Sequence, residues 1–390
     1  MIVSKLELFL GLVSRLEERK VAVERSHCLR EIHCASTCMR CFTVCTEHAI
    51  DFDGAINIIA GRCSQCGACT AVCPSGALTA SFPTDDELCE FAIEHLSHCA
   101  NVAFACEAHL ERNRRDRGRA IAVPCIARLN EAIFLHLALA GAANIYLVDG
   151  DCMGCKQGRN RHLFLNTVAT AMRLVGRLYP ATQISFCGAV PEDVTVLPKR
   201  PKADTQSRRS LLATLRGSAA RATRDSLGEG EVPVAPPRHA AGEIYRGASQ
   251  DIRTAVLPAK WVSLVESLAH LAPVLSDVMF SSSLWGNVSV RPECTGCGVC
   301  VETCPTGALV AKDEVDQRAL YFIGARCTQC GLCEAVCYKN CISVSTTVDL
   351  KKVAACEIQL KLVRPIEQIE SLTGPTEDRI AKLLGCPVTR

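Results

Sequence analysis

CTGCGVCVETCPTGAL, residues 294–309, occurs a second time with few changes as CSQCGACTAVCPSGAL at residues 63–78. A third copy of the theme, CTQCGLCEAVC, occupies residues 327–337, and a looser one runs Cys34, Cys38, Cys41, Cys45. The chain thus carries four cysteine blocks in two pairs, 34–45 with 63–73 and 294–304 with 327–337. Repetition this close between the two ends implies two structurally equivalent modules, each built from short loops.

Composition limits what these blocks can be. The chain has 390 residues, enough for two or three domains, with 48% hydrophobic and 22% charged residues. A formal net charge of +2 argues against a general nucleic-acid binder, which needs a broad phosphate-neutralising surface. The outlier is cysteine, at 27 residues. So many thiols mean either a secreted disulfide scaffold or a metal protein. The N-terminus, MIVSKLELFLGLVSRLEERK, interrupts its apolar run with Lys5, Glu7 and Arg15, so it reads as neither a signal peptide nor a membrane span. No other stretch reads as a transmembrane segment. The expectation is a reducing, cytoplasmic setting with cysteines serving as metal ligands.

The run C-x2-C-x2-C-x3-C-P, met at Cys63, Cys66, Cys69, Cys73, Pro74 and again at Cys294, Cys297, Cys300, Cys304, Pro305, has a specific chemistry. Three closely spaced thiolates wrap three corners of a [4Fe-4S] cube, and the fourth reaches the other cube of a pair. Gly67, Gly298 and Gly331 let backbone amides approach the sulfides. Zinc favours two separate Cys-x-x-Cys knuckles over such a run. Crossed pairing gives one C-terminal cluster to Cys294, Cys297, Cys300 and Cys337, and the other to Cys327, Cys330, Cys333 and Cys304. Tyr338 stands where the other motifs carry proline, and Cys341 is a competitor for Cys337. The first N-terminal block has one extra residue between Cys34 and Cys38 and Thr46 in place of proline, while His48-Ala49-Ile50 matches the Gly-Ala-Leu of the other motifs. Its clusters are assigned to Cys34, Cys38, Cys41 and Cys73, and to Cys63, Cys66, Cys69 and Cys45, with Cys28 as an alternative ligand. Residues 28–80 and 291–345 resemble bacterial-type two-[4Fe-4S] ferredoxin domains, and the count implied is four [4Fe-4S] clusters.

Between the modules the pattern changes. Apolar, β-prone runs at Asn101–Cys106, Ala120–Cys125, Asn144–Gly150 and Gln183–Cys187 alternate with helix-like stretches at 129–141 and 161–178. That order predicts βαβ units and a parallel sheet. Cys106, Cys125 and Cys187 fall at strand ends, and Cys152 and Cys155 just follow one, so all five are expected near the crevice at the carboxyl ends. The plain alternative is that they are small core residues. The segments PCIAR (124–128), GDCMGC (150–155) and GRN (158–160) look like the iron–sulfur domain of the delta subunit of methyl-viologen-reducing hydrogenases, over roughly residues 100–195. The resemblance implies one [2Fe-2S] cluster on Cys106, Cys125, Cys152 and Cys155, with Cys187 spare; zinc is the alternative at this site. That family usually carries further cysteines near the position of Cys106, and one stands here. The resemblance also implies a partner such as a hydrogenase, a formate dehydrogenase or a heterodisulfide-reductase-like flavoprotein.

The expected fold class is α/β and α+β: two ferredoxin-like modules flanking a central parallel-sheet α/β domain. The expected boundaries are an N-terminal helix (1–27), a first module (28–85), the α/β domain (86–195), a linker (196–255) with one helix at 207–222, a helical lead-in (256–290), a second module (291–345) and a C-terminal helical tail (346–390). The histidines His27, His33, His95, His98 and His109 have no matched acid and take surface or core roles. Cys89, Cys99, Cys356 and Cys386 lack motif spacing. The run Arg112–Arg119 reads as a solvated loop, or as a docking patch for an acidic redox partner. There is no G-x-G-x-x-G after a strand and no P-loop. The expected function is a non-catalytic, multi-cluster electron-transfer subunit of a redox complex. Its rivals are a reductase acting directly on a disulfide or small substrate, and a redox sensor or scaffold, which the lack of a DNA-binding helix pair disfavours.

Overall fold

The computed structural model describes residues 21–81, 83–150, 152, 154–155, 158, 161–197, 257–273, 275 and 279–369. Apart from residue 197 these belong to one unit, Met1–Val196 with Gln250–Arg390. Residues 1–20 of the expected N-terminal helix, the helix at 207–222 and nearly all of the linker lie outside the described residues.

The first module begins earlier than the cysteines imply. Val21–Val23 (β1) is a strand, not the end of a helix, because its β-branched residues pair antiparallel with Leu78–Ala80 (β4), Val21 opposite Ala80 and Val23 opposite Leu78. Ile50–Asp51 (β2) and Asn57–Ile58 (β3) form a hairpin between them. The helices here are short: Leu29–Ile32 (α1), Arg40–Val44 (α2) and Ala68–Val72 (α3). Gly67 enters α3 at φ +80°, a left-handed position that glycine fills without a Cβ clash.

The central domain follows the predicted order closely. Strands Asn101–Cys106 (β5), Ile121–Val123 (β6), Asn144–Val148 (β7) and Gln183–Cys187 (β8) form one all-parallel sheet, ordered β6-β5-β7-β8. Val102, Ala103, Phe104 and Ala105 of β5 are fully buried, as expected for a strand covered on both faces. The flanking helices are Asp85–Leu96 (α4), Glu107–Arg112 (α5), Glu131–Leu139 (α6) and Arg161–Leu178 (α7). Helix α4 opens on a capping box in which Thr84 and Glu87 satisfy each other's backbone N–H. Helix α6 (EAIFLHLAL) is apolar nearly all round because α4, α7 and Ala259–Ala269 (α8) cover it from several sides.

The lead-in helix is shorter than expected. It spans α8 only, ending ahead of Pro273, which disfavours continued helix at the preceding residue. Lys260 of α8 pairs with Glu131 of α6 at 2.5 Å and donates to the Ala71 carbonyl of α3 at 3.0 Å, tying three parts of the chain together.

The second module repeats the first with additions. Met279–Ser281 (β9), Asn287–Val290 (β10), Leu309–Asp313 (β11), Gln317–Ile323 (β12), Ile342–Ser345 (β13) and Thr347–Asp349 (β14) form three antiparallel pairs, β10 with β13, β11 with β12 and β9 with β14. Helices Val299–Glu302 (α9) and Leu332–Ala335 (α10) each follow a left-handed glycine, Gly298 and Gly331. The expected helical tail is corrected. Its described part holds β14, one short α-helix, Leu350–Ala354 (α11), then a strand, Ile358–Pro365 (β15), that pairs with β12, and a last 3-10 turn, Ile366–Gln368. IQLKLVRP has no helical stripe, and the outer edge of β12 needs a partner for its backbone groups. Among the described residues no helix is long and apolar enough to cross a membrane.

Candidate metal centres

All four cysteine blocks end in the same backbone turn. The third residue after the fourth cysteine is left-handed in each: His48 (φ 47°), Gly76 (φ 70°), Gly307 (φ 62°) and Asn340 (φ 51°). Blocks with and without proline therefore share one geometry. In three of them the fourth cysteine's sulfur accepts a hydrogen bond from the amide four residues on: Ala49 to Cys45 at 3.3 Å, Ala308 to Cys304 at 3.3 Å, and Cys341 to Cys337 at 3.2 Å. Cys341 thus offers Cys337 its backbone, while its own thiol faces the Lys339 carbonyl at 3.5 Å.

The crossed sets are visible as cavities. Cys294, Cys297, Cys300 and Cys337 line one, and Cys304, Cys327, Cys330 and Cys333 line another. In the first module Cys45, Cys63, Cys66 and Cys69 line a third. Cys41 and Cys73 are buried in the core beside it, and the third buried cysteine of that core is Cys28, 7% exposed. Cys34 does not join them: it is exposed. The physical reason is the extra residue before Cys38. His33 closes a turn with Ser36, its ring nitrogen takes the Ala35 amide at 3.0 Å, and Cys34 is turned to the surface.

The thiols in these cavities are hard to ionise on their own. Burial first, and then the charges of Cys73, Cys38 and Cys28, push Cys41 up to about 12. Burial and Cys330 and Cys304 push Cys327 to about 12, and burial with Cys304 pushes Cys330 to about 11. Cys69, Cys300 and Cys333 are raised as well, chiefly by burial and then by neighbouring cysteines. Crowded, desolvated thiolates of this kind are stable only around a cation. Among the described residues, no group of three or more His, Cys, Asp or Glu closes tightly enough to hold a single metal ion. Four thiols ringed around a cavity suit a cluster of several irons instead, with Gly67, Gly298 and Gly331 at the mouths of the loops.

At the carboxyl ends of the parallel sheet, Cys106, Cys125, Cys152 and Cys155 line one cavity with Asp149, Arg112, Arg161 and Phe164. Cys187, at the end of β8, is not part of its lining. The fold brings the four predicted cysteines together because β5, β6 and β7 end side by side. Burial pushes Cys125 to about 12, and burial with the Asp149 charge pushes Cys152 to about 11. Gly158 lies against the Cys152 carbonyl so closely that a Cβ there would meet its oxygen at 1.7 Å, so the position admits glycine alone.

Several residues at these sites escaped the sequence reading. Arg161 pairs with Asp149 at 2.7 Å on the rim of the central cavity. Arg128, 2% exposed, runs its stem over Gly67, donates to the Pro83 carbonyl and pairs with Asp85 at 3.2 Å. Its position directly after the Cys125 loop was the available clue. His109 does have an acid partner, contrary to expectation: its Nε2 lies 2.7 Å from Asp116 Oδ2, both buried, with Gly150 packed on the ring. The seven-residue gap spans the end of α5 and the turn after it, beyond the reach of helical spacing.

Residues 293–341 match the family described as 4Fe-4S dicluster domain, and residues 56–79 the family described as 4Fe-4S binding domain. Neither match reaches the parallel sheet. No curated protein and no solved structure matches the chain. The protein therefore carries 4Fe-4S ferredoxin-type domains on either side of its α/β domain, which points to an iron–sulfur electron-transfer role.

Proposed function

We propose that the chain is a multi-cluster electron-transfer subunit that holds four [4Fe-4S] clusters and one [2Fe-2S] cluster and relays electrons between a redox enzyme and another carrier. The observation that carries it is the crossing: Cys337 enters the cavity of the Cys294 loop, and Cys304 that of the Cys327 loop. The ligand sets are Cys294, Cys297, Cys300 and Cys337; Cys304, Cys327, Cys330 and Cys333; Cys45, Cys63, Cys66 and Cys69; and Cys28, Cys38, Cys41 and Cys73. Cys28 takes the place first given to Cys34. Bound there, the clusters would take up and release single electrons, and the protein's part is to space them and set their potentials through amides, charge and burial.

The central cavity, with Cys106, Cys125, Cys152 and Cys155, is assigned a [2Fe-2S] cluster on its four thiols and its resemblance to the hydrogenase delta subunit. Zinc is the rival reading at this site, because four cysteine thiolates also suit a structural zinc ion. A reductase role is disfavoured. A nucleophilic cysteine needs a lowered pKa, whereas Cys125 and Cys152 are raised. The resemblance favours a hydrogenase, formate dehydrogenase or heterodisulfide-reductase-like flavoprotein as partner, and so many thiols suit a reducing cytoplasm.

Anaerobic purification with iron and sulfide counts and EPR tests this reading. The expected result is about 18 irons per chain, four from each cube and two from the smaller centre, with signals of both cluster types after reduction. A chain that binds only zinc, or that turns over a disulfide without partners, would overturn it.

A further inference from the structure

We infer that the two ferredoxin-type modules are joined through their Cys38 and Cys330 loops, so that the five cysteine sites form one unbranched series, with Arg40 as the positioning residue at the joint. This rests on the ligand sets proposed above.

The joint is a built interface. Leu29 of the first module and Val299, Leu332 and Val336 of the second form one buried core, and Cys38, Cys297 and Cys330 pack against it, with the Cys330 loop also bonded to the first module through Arg40. Arg40, two residues beyond Cys38, donates from Nη2 to the Gln329 carbonyl at 2.9 Å across 289 positions of sequence. Gln329 directly precedes Cys330 and is held left-handed, at φ 51°. A bidentate-capable, permanently charged side chain thus clamps one cysteine loop onto the other. The charges of Arg40 and Cys38 both fall on Cys330, which agrees with that closeness.

The other steps of the series are equally local. At the central end Arg128 lies on Gly67, which places the Cys125 loop on the Cys66 loop. Within the first module Cys69 packs on the core that holds Cys41 and Cys73. Within the second, Cys300 and Cys333 share a core. The order is therefore the central cavity, the Cys45 site, the Cys28 site, the Cys304 site and the Cys294 site. Between any neighbours a hop oxidises one cluster by one electron and reduces the next by one, with no bond or proton exchanged. An external one-electron donor and an acceptor protein would serve the two ends.

The test uses the full chain, reduced with dithionite under argon. A Cys63→Ala, Cys294→Ala variant keeps one cube in each module, at the Cys28 and Cys304 sites; the expected EPR spectrum is split and broadened by interaction between the two. A Cys28→Ala, Cys327→Ala variant keeps the Cys45 and Cys294 sites; its Cys294 cube, left without a neighbour, is expected to give a sharp signal, while the Cys45 cube interacts with the central cluster alone. Sharp cube signals from the first variant, or splitting of the Cys294 cube in the second, would overturn the series. Each variant should retain about 10 irons. If iron is lost, Arg40→Gln in the otherwise intact chain decides: a potentiometric titration should show the Cys304 cluster, and at most its neighbour, shifted to lower potential while the rest hold. Four unshifted cubes would overturn the joint. Wild-type protein without four cubes would instead overturn the ligand reading on which the joint depends.

Discussion

The stem of Arg128 fills the space where a side chain at residue 67 would stand: a Cβ on Gly67 would lie 2.8 Å from Arg128 Cγ. Gly67 also sits at φ +80°. Gly67→Ala should therefore lose about 1–3 kcal/mol from the backbone conformation alone, with the clash in addition. Anaerobic thermal unfolding should show a lower midpoint, with iron lost first from the Cys63, Cys66, Cys69 and Cys45 set. An unchanged midpoint would mean that Arg128 does not occupy this position.

Lys260 and Glu131 are an ion pair at 2.5 Å with side chains 11% and 4% exposed. Removing one partner strands the other charge. Lys260→Met should cost about 3–5 kcal/mol, and adding Glu131→Leu should recover most of that loss. Denaturant titration of the three chains checks it. Equal stability of the single and double variants would show that the pair is not desolvated.

Cys28 and Cys34 make opposite predictions. Cys28→Ala should lose about four irons per chain, and Cys34→Ala none. Iron analysis with integrated EPR after reduction distinguishes them, and the reverse outcome would restore Cys34 as the ligand.

Tyr146 supplies a pH dependence. Its hydroxyl donates to Asp193 Oδ2 at 2.8 Å, and burial together with that bond raises the phenol to about 12. A phenol that ionises more readily unfolded, near its ordinary value of about 10, contributes stability that is whole below that value. The contribution is lost as pH rises from there through about 12. Tyr146→Phe should lower stability at neutral pH and flatten the alkaline fall over that window. Parallel slopes for the two chains would refute the role.

What could be read from the sequence was what is local or repeated. Asn101–Cys106, Gln183–Cys187 and Arg161–Leu178 appear at their predicted bounds, because each is an uninterrupted run with one period. The crossing of Cys304 and Cys337 was legible because the spacing dictates how far a loop reaches. Cys28 was only an alternative: its nine-residue gap to Cys38 has no motif, and its place depends on how α1 packs. Strand β15 was missed because its partner β12, and not its own composition, makes it a strand. Arg40 and Lys260 were invisible for the same reason, since each acts on groups far away in sequence.

The distance between Arg40 and Gln329 in the chain also orders events during synthesis. Leu29, Ile32 and Cys38 emerge from the ribosome hundreds of residues ahead of Val299, Leu332 and Cys330, the groups that cover them. Domains fold in order of emergence, so the first module must spend that interval with its Cys38 loop open to water and oxidants. The N-terminal thiols are then the chain's oxygen-sensitive face during translation, and the arrival of residue 330 is what closes it.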